Sequence, residues 1–74
     1  MNNRFTEVDE ARLRRLRRER ALSQRELSRM TGVAFDTISR LENGKQQAQP
    51  RTLRKLANAL GVEPKELMKG DNGG

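Results

Sequence analysis

"SQRELSRMTGVAFDTISRLENG", residues 23–44, is the stretch on which the rest of the chain turns. Ser23 stands three residues before Glu26. At that spacing a serine hydroxyl caps the third amide of a helix while the glutamate reaches back to the serine's own amide. The helix so opened runs through QRELSRMT, burying Leu27 and Met30, and stops at Gly32, where glycine suits a left-handed turn. A further helix follows almost at once, from about Ala34 to Glu42. Ile38 and Leu41 mark its buried side, and Asn43-Gly44 ends it.

Upstream, Thr6 and Asp9 form a candidate capping pair for a first helix through EVDEARLRRLRRER. Leu13 and Leu16 are its core contacts, with Val8 a further candidate. Arginine dominates its other faces, and most of that run reads as solvated surface; two leucines are too narrow a stripe for a membrane-surface helix. Downstream, KQQAQ is a polar loop, and Pro50 suits the first turn of a fourth helix, where its missing amide costs nothing. PRTLRKLANAL sets Leu53, Leu56, Ala57 and Leu60 on one stripe, and Gly61 closes it. Val62 and a short fifth helix, PKELM, complete the core through Leu67. Neither strand alternation nor an internal repeat is visible. The expected architecture is all-α: a compact five-helix domain over residues 6–69, with residues 1–5 and 70–74 as flexible ends. Two helices joined by a tight glycine turn inside such a domain are a helix-turn-helix.

Composition narrows the chemistry. The 74 residues allow one domain with a modest core, 32% of them hydrophobic and 35% charged. Cysteine, histidine and tryptophan are absent, which removes disulfides, Cys/His metal sites and imidazole catalysis. The ten acids are scattered, so no carboxylate metal site is expected and no cofactor. No apolar run spans a bilayer and no signal-peptide core appears, so the chain reads as soluble and cytoplasmic. The net charge of +6 points to a polyanion. With only two aromatic residues, both Phe, the chain has no platform for stacking single-stranded bases.

The chain resembles the helix-turn-helix domain of the phage repressor and Cro type, the Xre family, over roughly Arg12 to Leu67. The likeness rests on LRRLRRERALSQREL, TGVAFDTISRLENGK and PRTLRKLANALGVEPKEL. It implies five helices with the third in the DNA major groove. It also implies that Gln24 bonds a backbone phosphate and braces the third helix, and that Asn43 and Lys45 grip neighbouring phosphates. The resemblance further implies a phosphate contact from Arg51 and a pairing of Arg17 with Glu42. Arg14 stays open between DNA contact and structure. Three positions depart from the pattern. Ala21 stands where the family has glycine. Ser28 replaces an alanine, and its hydroxyl is expected to bond back to its own helix. Ala34 replaces a capping Ser or Thr, a loss of about 1 kcal/mol unless something substitutes.

Helical geometry sorts the third helix. With Ile38 and Leu41 inward, Asp36, Arg40 and Asn43 point outward, Ser39 lies nearby, and Phe35 and Thr37 sit on the flanks. Arg40 is the first candidate for base reading, donating two bonds to guanine, with a phosphate contact as its alternative. Asp36 has three readings: substitute cap, partner of Arg40 four residues on, or acceptor from a cytosine amino group. Phe35 is either packed against the second helix or pressed on a thymine methyl. The candidate base contacts are thus Arg40, Asp36, Phe35, Ser39 and Thr37; the candidate phosphate contacts are Gln24, Asn43, Lys45 and Arg51. The function expected is sequence-specific binding of double-stranded DNA by a transcriptional regulator, a repressor, with no catalysis. It would act as a homodimer on DNA and a monomer or weak dimer when free, without membrane or metal. The alternatives are an antitoxin or a protein-interaction module that keeps the fold and reads little DNA.

Overall fold

Leucines at three- and four-residue spacings build the core. In a computed structural model, which describes residues 5–69, they gather the chain into four α-helices and a closing 3-10 turn. The helices are α1 (Glu10–Glu19), α2 (Gln24–Thr31), α3 (Phe35–Glu42) and α4 (Pro50–Leu60), and the turn is Pro64–Leu67. The apolar centre is made by Leu13, Leu27, Ile38, Leu41, Leu53, Leu56, Leu60 and Leu67, all buried. Each such side chain contributes about 1.5–3 kcal/mol on burial. Of the flexible ends expected at residues 1–5 and 70–74, residues 1–4 and 70–74 lie outside the described residues.

The fold is all-α, but with four α-helices rather than five. The segment read as a fifth helix is a single 3-10 turn. Glu66's amide bonds the Glu63 carbonyl (2.9 Å) and Met68's bonds Lys65 (3.1 Å), both three residues back. Four residues opened by a proline are too few for a ladder of four-residue bonds. Met68 then turns extended and pairs with Val8.

Thr6 does not help to cap α1. Asp9 alone is the N-cap, its carboxylate accepting from the Arg12 amide at 3.1 Å. Asp9's own amide is committed to the Leu67 carbonyl (2.8 Å), so no reciprocal box can form there. Thr6 instead exchanges backbone bonds with Ala48 (2.7 and 2.9 Å), and Lys69 donates to Glu7 (3.0 Å). Residues 6–9 form an extended strap tying the α3–α4 loop to the end of the fold. These antiparallel bridges are isolated pairs, and no strand forms among the described residues.

Met30 was expected in the core and is 56% exposed. The inward face of α2 runs through Gln24, Leu27, Ser28 and Thr31. At about 100° per residue Met30 lies some 60° off Leu27, outside that face. Polar side chains with fixed partners occupy the inner positions, so hydrophobicity is a poor guide to this helix.

Ala21 ends α1 with a left-handed backbone, φ +55°. It sits at the turning point of a helix-ending motif, with Leu22's amide bonding the Arg17 carbonyl (3.2 Å) and Ala21's bonding Arg18 (2.9 Å). The geometry a glycine would adopt has been kept with an alanine in place, and the Cβ pays in strain, about 1–2 kcal/mol. Ala21→Gly should therefore stabilise the domain by about 1 kcal/mol after the greater freedom of glycine in the unfolded chain is counted. That corresponds to a rise in Tm of about 4–8 °C, measurable by calorimetry.

Candidate nucleic-acid interface

The turn between α2 and α3 is held by side chains from both sides. Gly32 ends α2 with φ +76°, its amide bonding the Ser28 carbonyl at 2.8 Å. The Ser28 hydroxyl does not bond back into its own helix as expected. It reaches across the turn to the Val33 carbonyl at 2.7 Å. Thr31 takes the back-bonding role, donating to the Leu27 carbonyl (2.7 Å) and accepting from the Val33 amide (3.1 Å). Both polar groups of Val33 are thereby satisfied while its side chain is buried. The capping box is formed at the other end of α2: Ser23 Oγ accepts from the Glu26 amide (3.0 Å), and Glu26 accepts from the Ser23 amide (2.8 Å). The bond from the Ser23 amide, aided by the Ser23 hydroxyl beside the carboxyl, holds Glu26 below its ordinary value.

The orientation of α3 rests on Glu42, which is 2% exposed. Its two oxygens accept from Arg17 Nε (2.6 Å) and Nη2 (2.9 Å), and Oε1 also accepts from Gln24 Nε2 (3.0 Å). Arg17 Nη1 meanwhile donates to the Leu22 carbonyl (2.8 Å), and Arg14 donates to the Glu42 backbone carbonyl (2.7 Å). One carboxylate thus ties α1, α2 and α3 together. Burial would raise its pKa; the bonds from Arg17 and Gln24, with the charges of Arg17 and Arg14, outweigh it and leave the carboxyl low. Arg17, bonded to Glu42, is raised in turn, despite its own burial. Arg14, open in sequence, is here a partner of the last turn of α3.

Beyond Glu42, α3 closes with Gly44 in the left-handed region, φ +69°. Lys45's amide bonds the Arg40 carbonyl (2.8 Å) and Gly44's bonds Leu41 (3.3 Å). A side chain at Gly44 would bring its Cβ to 3.0 Å from Glu10 Oε2. This turn leaves Asn43 and Lys45 exposed at the end of α3, and Arg51 is exposed in the first turn of α4. On α3 itself Asp36 and Arg40 are exposed, Thr37 and Ser39 half-buried.

Ala34 caps α3 without a side-chain bond. Among the described residues Asp36 makes neither the substitute cap nor the ion pair with Arg40; it stands exposed in the first turn, where the helix dipole favours its charge. Phe35 is 37% exposed, and the Arg25 guanidinium lies over its ring, 4.6 Å from the centroid. Its position is neither of the two expected extremes: one face of the ring is covered from α2 and the rest is open. Sequence reasoning missed Arg25 because ten residues and a turn separate it from Phe35. A signal was present: a cation in the first turn of α2 sits at the end of the dipole that repels it.

The chain belongs to the helix-turn-helix family, which matches residues 13–67. It is 46% identical over 57 residues to the HTH-type transcriptional repressor RghR of Bacillus subtilis (strain 168). That match covers 76% of this chain and 42% of RghR, so the chain spans less than half the length of that relative. In fold it is similar to the P22 c2 repressor, solved in complex with a synthetic operator. The TM-score is 0.77 at 32% identity, over 84% of this chain and 94% of that one. It is also similar to the restriction-modification controller protein C.AhdI from Aeromonas hydrophila, with a TM-score of 0.75 at 36% identity over 80% and 89% of the two chains. No helix among the described residues is long and apolar enough to cross a membrane.

Removing one member of a buried pair strands the other, at about 3–5 kcal/mol. Glu42→Ala should therefore lower the unfolding free energy by about 3–5 kcal/mol, a large share of the total for a domain this small. The double change Arg17→Met with Glu42→Leu should recover most of the loss in a denaturant titration. The folded Glu42 carboxyl titrates below its ordinary 4.5. Its contribution is then complete above that value and lost as the pH falls through the folded one. Tm should stay level from neutral pH to about 5 and then drop, and the drop should be shallower in the double variant.

Proposed function

We propose that this chain binds double-stranded DNA sequence-specifically as a transcriptional regulator, acting as a repressor, with α3 in the major groove. The observation that carries this reading is the Glu42 network. It buries one face of α3 against α1 and α2 and leaves the opposite face, with Asp36 and Arg40, open to solvent in a chain of net charge +6. A helix held this way can seat its open side in a groove without reorganising.

Arg40 is the proposed reader of guanine, unencumbered by Asp36 in the described contacts. Phe35, Asp36, Thr37 and Ser39 border the same face and are proposed to meet base edges. Gln24, braced on Glu42, has its second amide hydrogen for a phosphate at the start of α2. Asn43 and Lys45 take the phosphates at the other end of α3, and Arg51 takes one beside them. Asp36, close to these phosphates, repels sequence-independent contact and so sharpens choice between sites. We place the protein in the cytoplasm and on DNA as a homodimer, spanning half-sites about one helical turn apart. The similarity to RghR and to an operator-bound repressor supports DNA reading over the antitoxin or interaction-module alternative.

Selection from a random duplex library at near-physiological salt tests the proposal. An enriched palindrome with a guanine in each half-site is expected, and a pool that stays random would turn the search to protein partners. On the enriched site Arg40→Ala should relax base preference, a loss of about 1–3 kcal/mol of discrimination. Lys45→Ala should weaken all sequences alike and lower the salt slope by about one unit. Should Arg40→Ala weaken every sequence equally, Arg40 is a phosphate contact.

A further inference from the structure

We infer that Phe35 and Arg25 act together as a detector of the C5-methyl group of a pyrimidine in the major groove. The inference rests on the DNA-reading function proposed above and deepens it by naming the feature read.

Four observations converge on the pair. Phe35 opens α3 at a position exposed enough, 37%, to present its ring edge and open face, yet it belongs to no core cluster. A half-exposed apolar ring beside the polar, charged face of α3 has nothing within the fold to bury it fully. Arg25 covers one side of the ring at 4.6 Å, and among the described residues it makes no ion pair with an acid. Arg25 also sits in the first turn of α2, where its charge opposes the helix dipole, so its placement does not serve the helix that carries it. Finally, the two residues stand on either side of a turn locked by Ser28, Thr31 and Gly32, so their spacing is set by the fold.

The chemistry follows. In the major groove the only apolar group a base pair offers is the C5-methyl of thymine, and an apolar side chain is its natural contact. A free phenyl ring on a surface would sample rotamers. A guanidinium stacked on one face restrains the ring and leaves the other side to the methyl, and its own planar donors stay peripheral. Arg25 is thus a positioning residue acting through Phe35. The feature detected is a methyl group rather than a base name, so 5-methylcytosine should satisfy it as thymine does, and uracil should not.

The test uses the site obtained by duplex selection. Each thymine of that site is replaced in turn by deoxyuridine and each cytosine by 5-methylcytosine, and Kd is measured by fluorescence anisotropy for wild type, Phe35→Ala and Arg25→Ala. Neither residue is in the core, and circular dichroism checks that both variants fold. The expected result is one pyrimidine position per half-site where the methyl is worth about three- to fourfold in Kd, the value of burying one methyl group. In Phe35→Ala that ratio should fall to near one. In Arg25→Ala it should fall by at least half, which loss of a phosphate contact alone would not produce. An enriched site with no methyl-sensitive position, or with sensitivity that survives Phe35→Ala, overturns the inference and leaves DNA reading intact. A ratio unchanged in Arg25→Ala, with a salt slope lower by about one, makes Arg25 a phosphate contact and overturns the pair. A pool that never enriches overturns both this inference and the function on which it rests.

Discussion

A single buried carboxylate sets the arrangement of this domain. Glu42 ends α3, yet its partners lie on α1 and α2, so its three accepted bonds fix the relative placement of three helices at one point. The interior is otherwise apolar, and apolar surfaces of similar shape tolerate sliding and repacking. A bidentate guanidinium–carboxylate contact does not, because it has one geometry in which every donor is satisfied. The same carboxylate holds Gln24, so the start of α2 and the end of α3 are registered against each other through one side chain.

The inner face of α2 extends this logic. Gln24, Ser28 and Thr31 each reach a defined acceptor or donor, and between them stands only one fully buried apolar residue, Leu27. A helix of eight residues fastened by polar bonds at both ends, with the capping box at its start, has little freedom to rock. The exposed side chains of α3 are consequently displayed by a frame of short, saturated contacts. Pre-organisation of this kind matters for a surface that must tell one base from another, since any slack in the frame blurs the difference in energy between right and wrong sites.

Much of this architecture was legible in the sequence, and the exceptions share a cause. Ser23 and Glu26, Gly32, Asn43-Gly44, Pro50 and Gly61 place the ends of α2, α3 and α4 within a residue or two, because capping and turn chemistry are local. The leucine stripe of α4 is buried as its spacing indicates. What failed depended on distant partners. Hydrophobicity places Met30 in the core, but Gln24, Ser28 and Thr31 occupy the inner face of α2 with fixed partners. Ser28 was expected to bond locally and instead satisfies a carbonyl across the turn. Asp9 lacks the help of Thr6 because backbone groups far along the chain claim both of them. The last helix is a 3-10 turn because the segment between Pro64 and the extended Met68, which pairs with Val8, is too short for a ladder of four-residue bonds. In the candidate site, Lys45, beyond the end of α3, came only from the resemblance, whereas Asp36, Arg40 and Asn43 could be placed outward from periodicity alone. Arg25 over Phe35 could not, since no spacing rule connects two helices across a turn.

The extended strap at residues 6–9 has a consequence for how the chain folds. Helix ladders and the α2–α3 turn join neighbours in sequence and can form early, whereas the strap joins residue 8 to residue 68 and residue 6 to residue 48. Contacts that distant close a long loop and must wait until the helices have brought their ends together. The strap is therefore expected to lock after the helices, a seam fastened over a finished bundle. Opening it also uncovers Val8 and Ala48, both buried in the core, so the seam is held by apolar packing as well as by backbone bonds. The loop leading into α4 and the pair Met68 and Lys69 share that seam and are expected to loosen together, while α3 is held separately through Glu42.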